Sequence, residues 1–329
     1  MRLFWQEVSE ITLTFRESER KIFLCAIFDK KRKGNEKEMK KTAVVTDSNA
    51  GILPEEAEEK RIFMLPMPFM IDGNDYLENV DLTSEMFYQM LKENKSISTS
   101  QPAPGNVLSL WDRILEEYEE LVYIPMSSGL STSCQSALVL AQDYDGKVQV
   151  VDNRRISVTQ RNAVYDAMAL VKEGKSAAEI KEILEKDGDN SSIYIMLDTL
   201  YYLKKGGRIT PAAAAVGTVL RLKPVLQIQG ALLDAFAKAR TVNHAKQVMI
   251  NAIRNDMESR FDGADPENCS LFIAHTNNEE MAMQFKREVE EAFPGFQVDM
   301  VDPLSLVVSC HIGPGALALA CCKKLKRAE

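Results

Sequence analysis

Strand-like and helix-like segments alternate through the first half of this 329-residue chain. Residues 42–46, 121–124 and 148–151 are short and apolar or β-branched, and each precedes a turn and a segment with helical spacing. A helical crossover between successive strands is typical of parallel sheets. The alternation therefore predicts βαβ units around a mostly parallel sheet. In such a sheet, ligands bind beyond the carboxyl ends of the strands.

The second half of the chain has a different pattern, which predicts antiparallel strands and flanking helices. Residues 225–229 and 232–239 are predicted to pair as a hairpin. Residues 211–222 are apolar almost all round, which is typical of a buried helix. The other predicted elements are strands at 191–197, 270–275 and 297–301, helices at 243–259 and 278–292, and a closing helix at 315–325.

These patterns predict an α/β protein with two α/β domains and a ligand between them. The first domain is expected at 39–190, with the mostly parallel sheet, and the second at 191–329. Residues 1–38 have no signal-peptide cleavage site and no membrane-length apolar run. We interpret them as a non-native or mis-called leader, and we expect that trimming the chain to Met39 leaves folding and ligand binding intact.

Composition argues against several classes of function. The net charge of −8 argues against a nucleic-acid partner, because such partners need a basic surface. The six cysteines and three histidines show no C-x-x-C pair and no zinc spacing, so we expect no metal and no other cofactor. Scattered cysteines favour a reducing compartment, and we expect the protein in the cytoplasm.

Hydroxyl groups gather where one predicted strand ends and a helix begins. The strand at 121–124 is followed by the turn Ser127-Ser128-Gly129 and then, from about Ser131, by a predicted helix. Unpaired main-chain N–H groups and the positive end of the helix dipole favour an anion at such a junction. The serines can equally serve as helix caps, and the turn alone does not decide between the two interpretations.

Several short motifs follow one another in a fixed order. They are TDS at 46–48, TSQPAPG at 99–105, SSGLS at 127–131, KKGGRIT at 204–210, KPVL at 223–226, KART at 238–241 and HIGPG at 311–315. This ordered set resembles the DegV family of bacterial fatty-acid-binding proteins. The resemblance extends from about Lys40 to the end of the chain.

The resemblance implies that the chain binds a long-chain fatty acid, with the carboxylate held by Thr99, Ser131 and His311. Ser128, in the same turn as Ser131, is a second choice. Thr132 stands where family members often carry glycine, which affects how Ser131 is aimed. The resemblance also implies an acid of roughly 14–18 carbons, a length at which each buried CH₂ group contributes about 0.8 kcal/mol.

Other residues have supporting roles by the same resemblance. Asp47 and Ser48 match the TDS motif, and the Asp47 carboxylate is expected to orient the hydroxyls of the turn. Arg208 and Arg240 are expected at the mouth of the pocket or on a surface that meets a partner. The supporting set is Asp47, Ser48, Ser127, Gly129, Arg208 and Arg240. The apolar tail is expected along side chains of the predicted helix at 211–222, namely Val216, Val219 and Leu220.

The resemblance implies a lipid-binding carrier rather than an enzyme. Such a carrier presents its fatty acid to a separate fatty acid kinase subunit, similar to dihydroxyacetone kinases. That subunit uses ATP to form an acyl phosphate, which feeds phospholipid synthesis. The chain has no Walker loop and no Gly-rich nucleotide motif of its own, in keeping with this division of labour. A transient contact with a membrane surface is left open.

A serine hydrolase is the alternative from a different class. Ser128 or Ser131, with His311 and Asp47, would supply a nucleophile, a base and an orienting carboxylate. The chain has no G-x-S-x-G elbow, which argues against this alternative. A fluorophosphonate probe distinguishes the two functions, because it labels an activated serine in a hydrolase and labels nothing in a carrier.

Overall fold

The computed structural model describes residues 40–208, 222–230 and 232–326. These residues form thirteen strands and ten α-helices. The strands are β1 (Lys40–Asp47), β2 (Ile62–Leu65), β3 (Pro68–Ile71), β4 (Asn74–Leu77), β5 (Ile97–Thr99), β6 (Tyr118–Ile124), β7 (Val148–Val150), β8 (Ser191–Met196), β9 (Lys223–Ile228), β10 (Leu233–Ala239), β11 (Cys269–His275), β12 (Val298–Pro303) and β13 (Leu317–Lys323). The helices are α1 (Pro54–Lys60), α2 (Ser84–Lys92), α3 (Pro104–Leu115), α4 (Ser133–Leu140), α5 (Ser157–Lys172), α6 (Ala177–Lys186), α7 (Tyr201–Gly206), α8 (Val242–Arg260), α9 (Glu279–Ala292) and α10 (Leu306–Ile312).

Four parallel strands form the first sheet, in the order β2-β1-β6-β7. Successive side chains of a strand point to opposite faces, and both faces of this sheet are covered by helices. Val44 packs in the core beneath α5 and α6, while Val45 packs in the core beneath α3 and α4. The mostly parallel α/β arrangement predicted from the alternation is confirmed.

Six strands form the second sheet, in the order β10-β9-β8-β13-β11-β12. Neighbouring strands are antiparallel except β11 and β12, which run parallel at one edge. Tyr194 and Met196 of β8 pack beneath α8 and α9. Ile193 and Ile195 face the other way and pack with residues of the first half of the chain, such as Met67. The strands of the first sheet come before residue 190 in the sequence, and those of the second sheet come after it. The domain boundaries themselves stay a prediction.

A small third sheet has the order β4-β3-β5. Residues 62–71 form two strands in different sheets, because β2 pairs with β1 whereas β3 pairs with β4 and β5. Pro66 and Pro68 lack the N–H group that a continuous ladder needs, so the chain changes sheet between them.

The predicted closing helix at 315–325 is wrong. Residues Leu317–Lys323 form β13, which lies between β8 and β11 in the middle of the second sheet. The first six of these residues are buried, so the strand has no polar face and shows no alternation. Without that alternation, the small residues of the segment favoured a helix. The predicted helix at 211–222 and the leader at 1–38 lie outside the described residues.

Candidate functional site

A cavity of about 330 Å³ lies between the inner face of the second sheet and the first half of the chain. Most of its wall is apolar. Ile193 and Ile195 of β8, Ala274 of β11 and Ala318 of β13 line one side, and Met126 lines the other. One end of the cavity is polar, with Thr99, Ser100, Gln101, Ser128, Ser131, Thr132, Ser157, Arg208 and His311. A cavity with an apolar body and a few polar groups at one end suits an elongated apolar molecule with a polar head.

Thr99 and His311 meet at the polar end. Thr99 is the last residue of β5, and His311 lies in the last turn of α10. A hydrogen bond of 2.9 Å joins Thr99 Oγ1 to His311 Nε2. The sequence predicted both residues at one site, and the structure brings them together from positions 212 residues apart.

The surroundings of His311 keep its imidazole neutral. Burial is the larger and the positive charge of Arg208 the smaller of the two causes that together lower the pKa of His311 from 6.5 to about 4. Gly206, the last residue of α7, leaves the space in which the ring packs, because a Cβ atom there would lie 2.3 Å from His311 Nδ1. A neutral imidazole beside a hydroxyl can donate one hydrogen bond and accept another.

Helix α10 is held against the first half of the chain along its whole length. The Glu78 carboxylate accepts a hydrogen bond from the main-chain N–H of Leu306, and Ser305 Oγ donates to Asn49 Oδ1 at 3.1 Å. One turn later, the Tyr88 hydroxyl donates to Ser309 Oγ at 3.1 Å. With the bond between Thr99 and His311, these contacts fix where the imidazole lies relative to the serine turn.

The serine turn lies against the same end of the cavity. The main-chain N–H groups of Leu130 and Ser131 both donate to the Ser127 carbonyl, and the Gly129 N–H donates to Ser127 Oγ. Ser128 and Ser131 line the cavity, whereas Ser127 is buried and shapes the turn. Helix α4 begins at Ser133 rather than at about Ser131 as predicted, because Ser131 Oγ accepts the Ser133 N–H at 3.2 Å and ends the turn.

Gln101 links the TSQP loop to the serine turn and was not singled out from the sequence. Its Oε1 accepts hydrogen bonds from Thr132 Oγ1 at 2.8 Å and from Ser136 Oγ at 3.0 Å. Thr132 therefore joins the turn to the TSQP loop. The signal in the sequence was the position of Gln101 directly after Thr99-Ser100 in the motif.

The Asp47 carboxylate holds the main chain directly before the serine turn. The carboxylate is fully buried, and it accepts hydrogen bonds from the Met126 N–H at 2.8 Å and from the Asn49 N–H at 3.0 Å. The amide of Gln160 donates to it as well, at 3.1 Å. Burial raises the pKa of Asp47 above its ordinary value, and these donors lower it in part. Asp47 was predicted to orient the hydroxyls of the turn. In the structure, its carboxylate contacts the backbone of Met126, just before Ser127.

Ser48 is hydrogen-bonded to the buried carboxylate of Glu78, which was not singled out from the sequence. Ser48 Oγ donates to Glu78 Oε2 at 2.6 Å, and the same carboxylate accepts the Leu306 N–H. Burial raises the pKa of Glu78 from 4.5 to about 7. Glu78 therefore couples the TDS motif near the start of the described chain to the helix that carries His311.

The two predicted arginines lie in different places. Arg208 is exposed and lines the polar end of the cavity, beside His311. Arg240 is exposed at the end of β10 and is not among the described residues that line the cavity. The predicted tail-binding residues Val216, Val219 and Leu220 lie outside the described residues.

A family model described as "Uncharacterised protein, DegV family" matches residues 41–324. The chain belongs to the DegV family. The family predicted from the ordered motifs is confirmed. A DegV domain-containing protein of Staphylococcus aureus (strain N315) is 32% identical over 288 residues, which cover 87% of this chain and 100% of that protein.

Solved structures of DegV proteins share the fold. One is described as showing fatty acid binding of a DegV family protein from Thermus thermophilus. It has a TM-score of 0.77 and 27% identity, and it covers 86% of this chain and 100% of its own. Another is DegV from Bacillus subtilis, described as a fatty acid binding protein, with a TM-score of 0.76 and 29% identity over 87% of this chain and 100% of its own. Among the residues described for this DegV family member, no helix is long and apolar enough to cross a membrane.

Proposed function

We propose that this protein binds a long-chain fatty acid in the cavity between its two sheets. It then presents the carboxylate to a separate fatty acid kinase subunit, which forms the acyl phosphate that feeds phospholipid synthesis. The protein acts in the cytoplasm, without a metal or other cofactor, and has no catalytic activity of its own. The observation that carries the proposal is the bond between Thr99 and His311 at the polar end of an otherwise apolar cavity.

The chemistry of the polar end suits a carboxylate. Thr99, Ser131 and the neutral His311 offer hydroxyl and imidazole donors, and a carboxylate accepts such bonds at both of its oxygens. Each bond to the charged group contributes about 1.5–3 kcal/mol. Arg208, which lines the same end, adds a positive charge near the head group.

The apolar body of the cavity suits the acyl chain. Each CH₂ group that leaves water contributes about 0.8 kcal/mol, so the tail supplies most of the affinity and the head fixes the orientation. The solved DegV proteins of Thermus thermophilus and Bacillus subtilis, which share this fold, are described as binding fatty acids. Their likeness to this chain supports the assignment of the cavity to the same class of ligand.

The position of the polar end supports presentation to a partner. Arg208, Ser100 and Thr132 are exposed residues that also line the cavity, so the head group lies close to the surface. A kinase subunit could reach the carboxylate there while the acyl chain stays buried. The absence of a nucleotide motif from the sequence leaves the phosphoryl transfer to that subunit.

The contacts of His311 and Asp47 favour the carrier over the serine hydrolase. His311 Nε2 is bonded to Thr99, and the buried Asp47 carboxylate is bonded to main-chain and side-chain amides. A catalytic triad requires a hydrogen bond between the histidine and the carboxylate. Among the described residues, no hydrogen bond joins Asp47 to His311. A fluorophosphonate probe that labelled Ser128 or Ser131 would favour the hydrolase over the carrier.

Native mass spectrometry of the purified protein tests the ligand class. We expect a co-purifying fatty acid of roughly 14–18 carbons, held by burial of its CH₂ groups at about 0.8 kcal/mol each. A sugar, nucleotide or metal found without any lipid would contradict the proposal. Incubating the loaded protein with a fatty acid kinase subunit and ATP then tests presentation, because an acyl phosphate should form only when both proteins are present.

A further inference from the structure

A second cavity, of about 320 Å³, shares a wall with the fatty-acid cavity. Thr99, Arg208 and His311 line both cavities. The bond between Thr99 and His311 therefore lies in the wall that separates an apolar space from a second, more polar one. We call the second cavity the anion compartment, defined by its lining residues Lys95, Ser96, Ser98, Tyr202, Lys205 and Arg208.

The charged groups of the anion compartment are all positive. Lys95, Lys205 and Arg208 line it, and no carboxylate is among the described residues that do so. Lys95 is paired with Asp72 at 3.0 Å. Lys205 and Arg208 form no ion pair with any described residue. Within the described part of the chain, two cations beside one small space thus have no carboxylate partner.

These cations act on the groups around them. Burial raises the pKa of the Cys310 thiol, which also lines the compartment, to about 11, and Lys205 and Arg208 both work against that increase. Arg208 lowers the pKa of His311 in the same way. The compartment next to the imidazole therefore has a positive potential, which favours an anion there.

The compartment also has neutral donors suited to an oxyanion. Ser96, Ser98 and Tyr202, whose side chains carry hydroxyls, line it in addition to Thr99 in the shared wall. Hydroxyls and ammonium groups around a small space bind a phosphate group through short, charge-assisted hydrogen bonds. The fatty-acid cavity differs in this respect, because its body is lined by isoleucine, alanine and methionine side chains.

We propose that the anion compartment binds the phosphate group of the acyl phosphate while the acyl chain stays in the first cavity. The inference rests on the proposed function. In the kinase step, a carboxylate oxygen of the fatty acid forms a bond to the γ-phosphorus of a nucleoside triphosphate. The bond from that phosphorus to the bridging oxygen breaks, and the nucleoside diphosphate leaves with the electron pair.

The step changes what the protein must hold at the head of the ligand. A carboxylate with a single charge becomes a neutral carbonyl joined to a phosphate that carries more charge and three further oxygens. Neutral groups such as His311 and Thr99 suit the first state, and the positive charges of the anion compartment suit the second. The protein would then retain the acyl phosphate after the kinase subunit leaves.

The test compares two ligands on one protein. The first is palmitate. The second is the β-keto phosphonate of palmitic acid, a stable analogue in which CH₂ replaces the oxygen between the carbonyl carbon and phosphorus. Affinities are measured by displacement titration on the delipidated full-length chain, at low and at high salt. The phosphonate should bind the wild-type protein at least as tightly as palmitate, and its binding should weaken more as salt is added.

The decisive variant is Lys205→Ala, and Lys204→Ala is its matched control. Both lysines are exposed on α7, and only Lys205 lines the compartment. Lys205→Ala should weaken phosphonate binding about 10-fold and leave palmitate binding within about 2-fold of wild type, since only the phosphonate gains a charge-assisted bond to Lys205. Lys204→Ala should change neither affinity.

The outcomes separate this inference from the function on which it rests. Equal losses for both ligands in Lys205→Ala, or no loss for either, would contradict the anion compartment while leaving fatty-acid binding intact. A wild-type protein that binds palmitate but rejects the phosphonate would do the same. A wild-type protein that binds neither ligand would overturn the proposed function and the inference together. Circular dichroism of each variant confirms that the fold is unchanged.

Discussion

His311 packs on Gly206 so closely that a Cβ atom on Gly206 would lie 2.3 Å from His311 Nδ1. Gly206 belongs to α7 and His311 to α10, so the contact joins two helices of the second half of the chain. Real Cβ atoms do not approach a ring nitrogen at that distance, so any side chain at position 206 must displace the imidazole. The glycine of the KKGGRIT motif therefore has a steric role at the site.

Gly206→Ala should weaken fatty-acid binding without unfolding the protein. Its backbone lies in a helix and tolerates alanine, so the free energy of unfolding should change by no more than about 1 kcal/mol. Displacement of the imidazole removes one bond to the carboxylate, and we expect about a 10-fold loss of affinity in a displacement titration.

Gly105→Ala is the matched control for this prediction. Gly105 also lies in a helix, α3, and a Cβ atom there would meet nothing within 4 Å. The control should keep wild-type affinity and gain up to about 1 kcal/mol of stability. Equal affinities for Gly206→Ala and wild type would show that the imidazole does not contact the ligand.

Glu78 should make the stability of the protein fall as the pH rises. Burial raises its pKa from 4.5 to about 7, so the folded state favours the protonated carboxyl. A raised pKa means that this contribution is fully present below the unfolded value of 4.5 and is lost as the pH rises through about 7. The neutral amide in Glu78→Gln cannot titrate, so the variant should not show this loss.

The measurement is urea denaturation of wild type and Glu78→Gln between about pH 5 and about pH 8. Between the low and the high end of that range, wild type should lose about 2–3 kcal/mol of stability relative to the variant. Other titrating groups are common to both proteins and cancel in the comparison. A difference that stays constant with pH would show that Glu78 is ionised in the folded state at both ends of the range.

His311 should titrate far below ordinary histidines. Its pKa is about 4 in the ligand-free protein because of burial and Arg208. A bound carboxylate is an opposite charge, which favours the imidazolium, so palmitate should raise the midpoint. NMR of labelled imidazole groups can follow this, because the chain has only three histidines and His311→Asn identifies the signal. A midpoint near the unperturbed value of about 6.5, or one that palmitate does not move, would contradict this description of the site.

The first sheet could be predicted because its signals are local. Strand and helix periods alternate along residues 42–172, and the hydroxyl and glycine motifs lie at the ends of those elements. The carboxyl edge of a parallel sheet then brings Asp47 close to the turn after β6. For Thr99 and His311, the ordered motifs supplied what local patterns could not.

The remaining features depend on tertiary contacts that leave no local signal. Residues 317–322 are buried on both faces, so their apolar run has neither period, and β13 was mistaken for a helix. Glu78 lies among charged and turn-forming residues, which is typical of a surface loop. It is buried only because the segment folds against Ser48 and the start of α10.

Removal of either residue proposed to bind the head group, Ser131 or His311, should weaken fatty-acid binding. Ser131→Ala and His311→Ala should each lower the affinity roughly 10- to 100-fold, the equivalent of one charge-assisted hydrogen bond. Both residues are partly exposed, so neither substitution should unfold the protein. The double variant should lose less than the sum of the two, because both groups contact one carboxylate. The rise in melting temperature on adding ligand should be smaller in each single variant than in wild type, and smallest in the double variant.

The most direct test of a carboxylate held between the two domains is a palmitate titration of the delipidated wild type and the Ser131→Ala and His311→Ala variants. Circular dichroism serves as the control for the fold. We predict losses of roughly 10- to 100-fold in each well-folded single variant. Wild-type affinity in both would contradict the account, because it would show that Ser131 and His311 only cap and pack, and that the head group lies elsewhere.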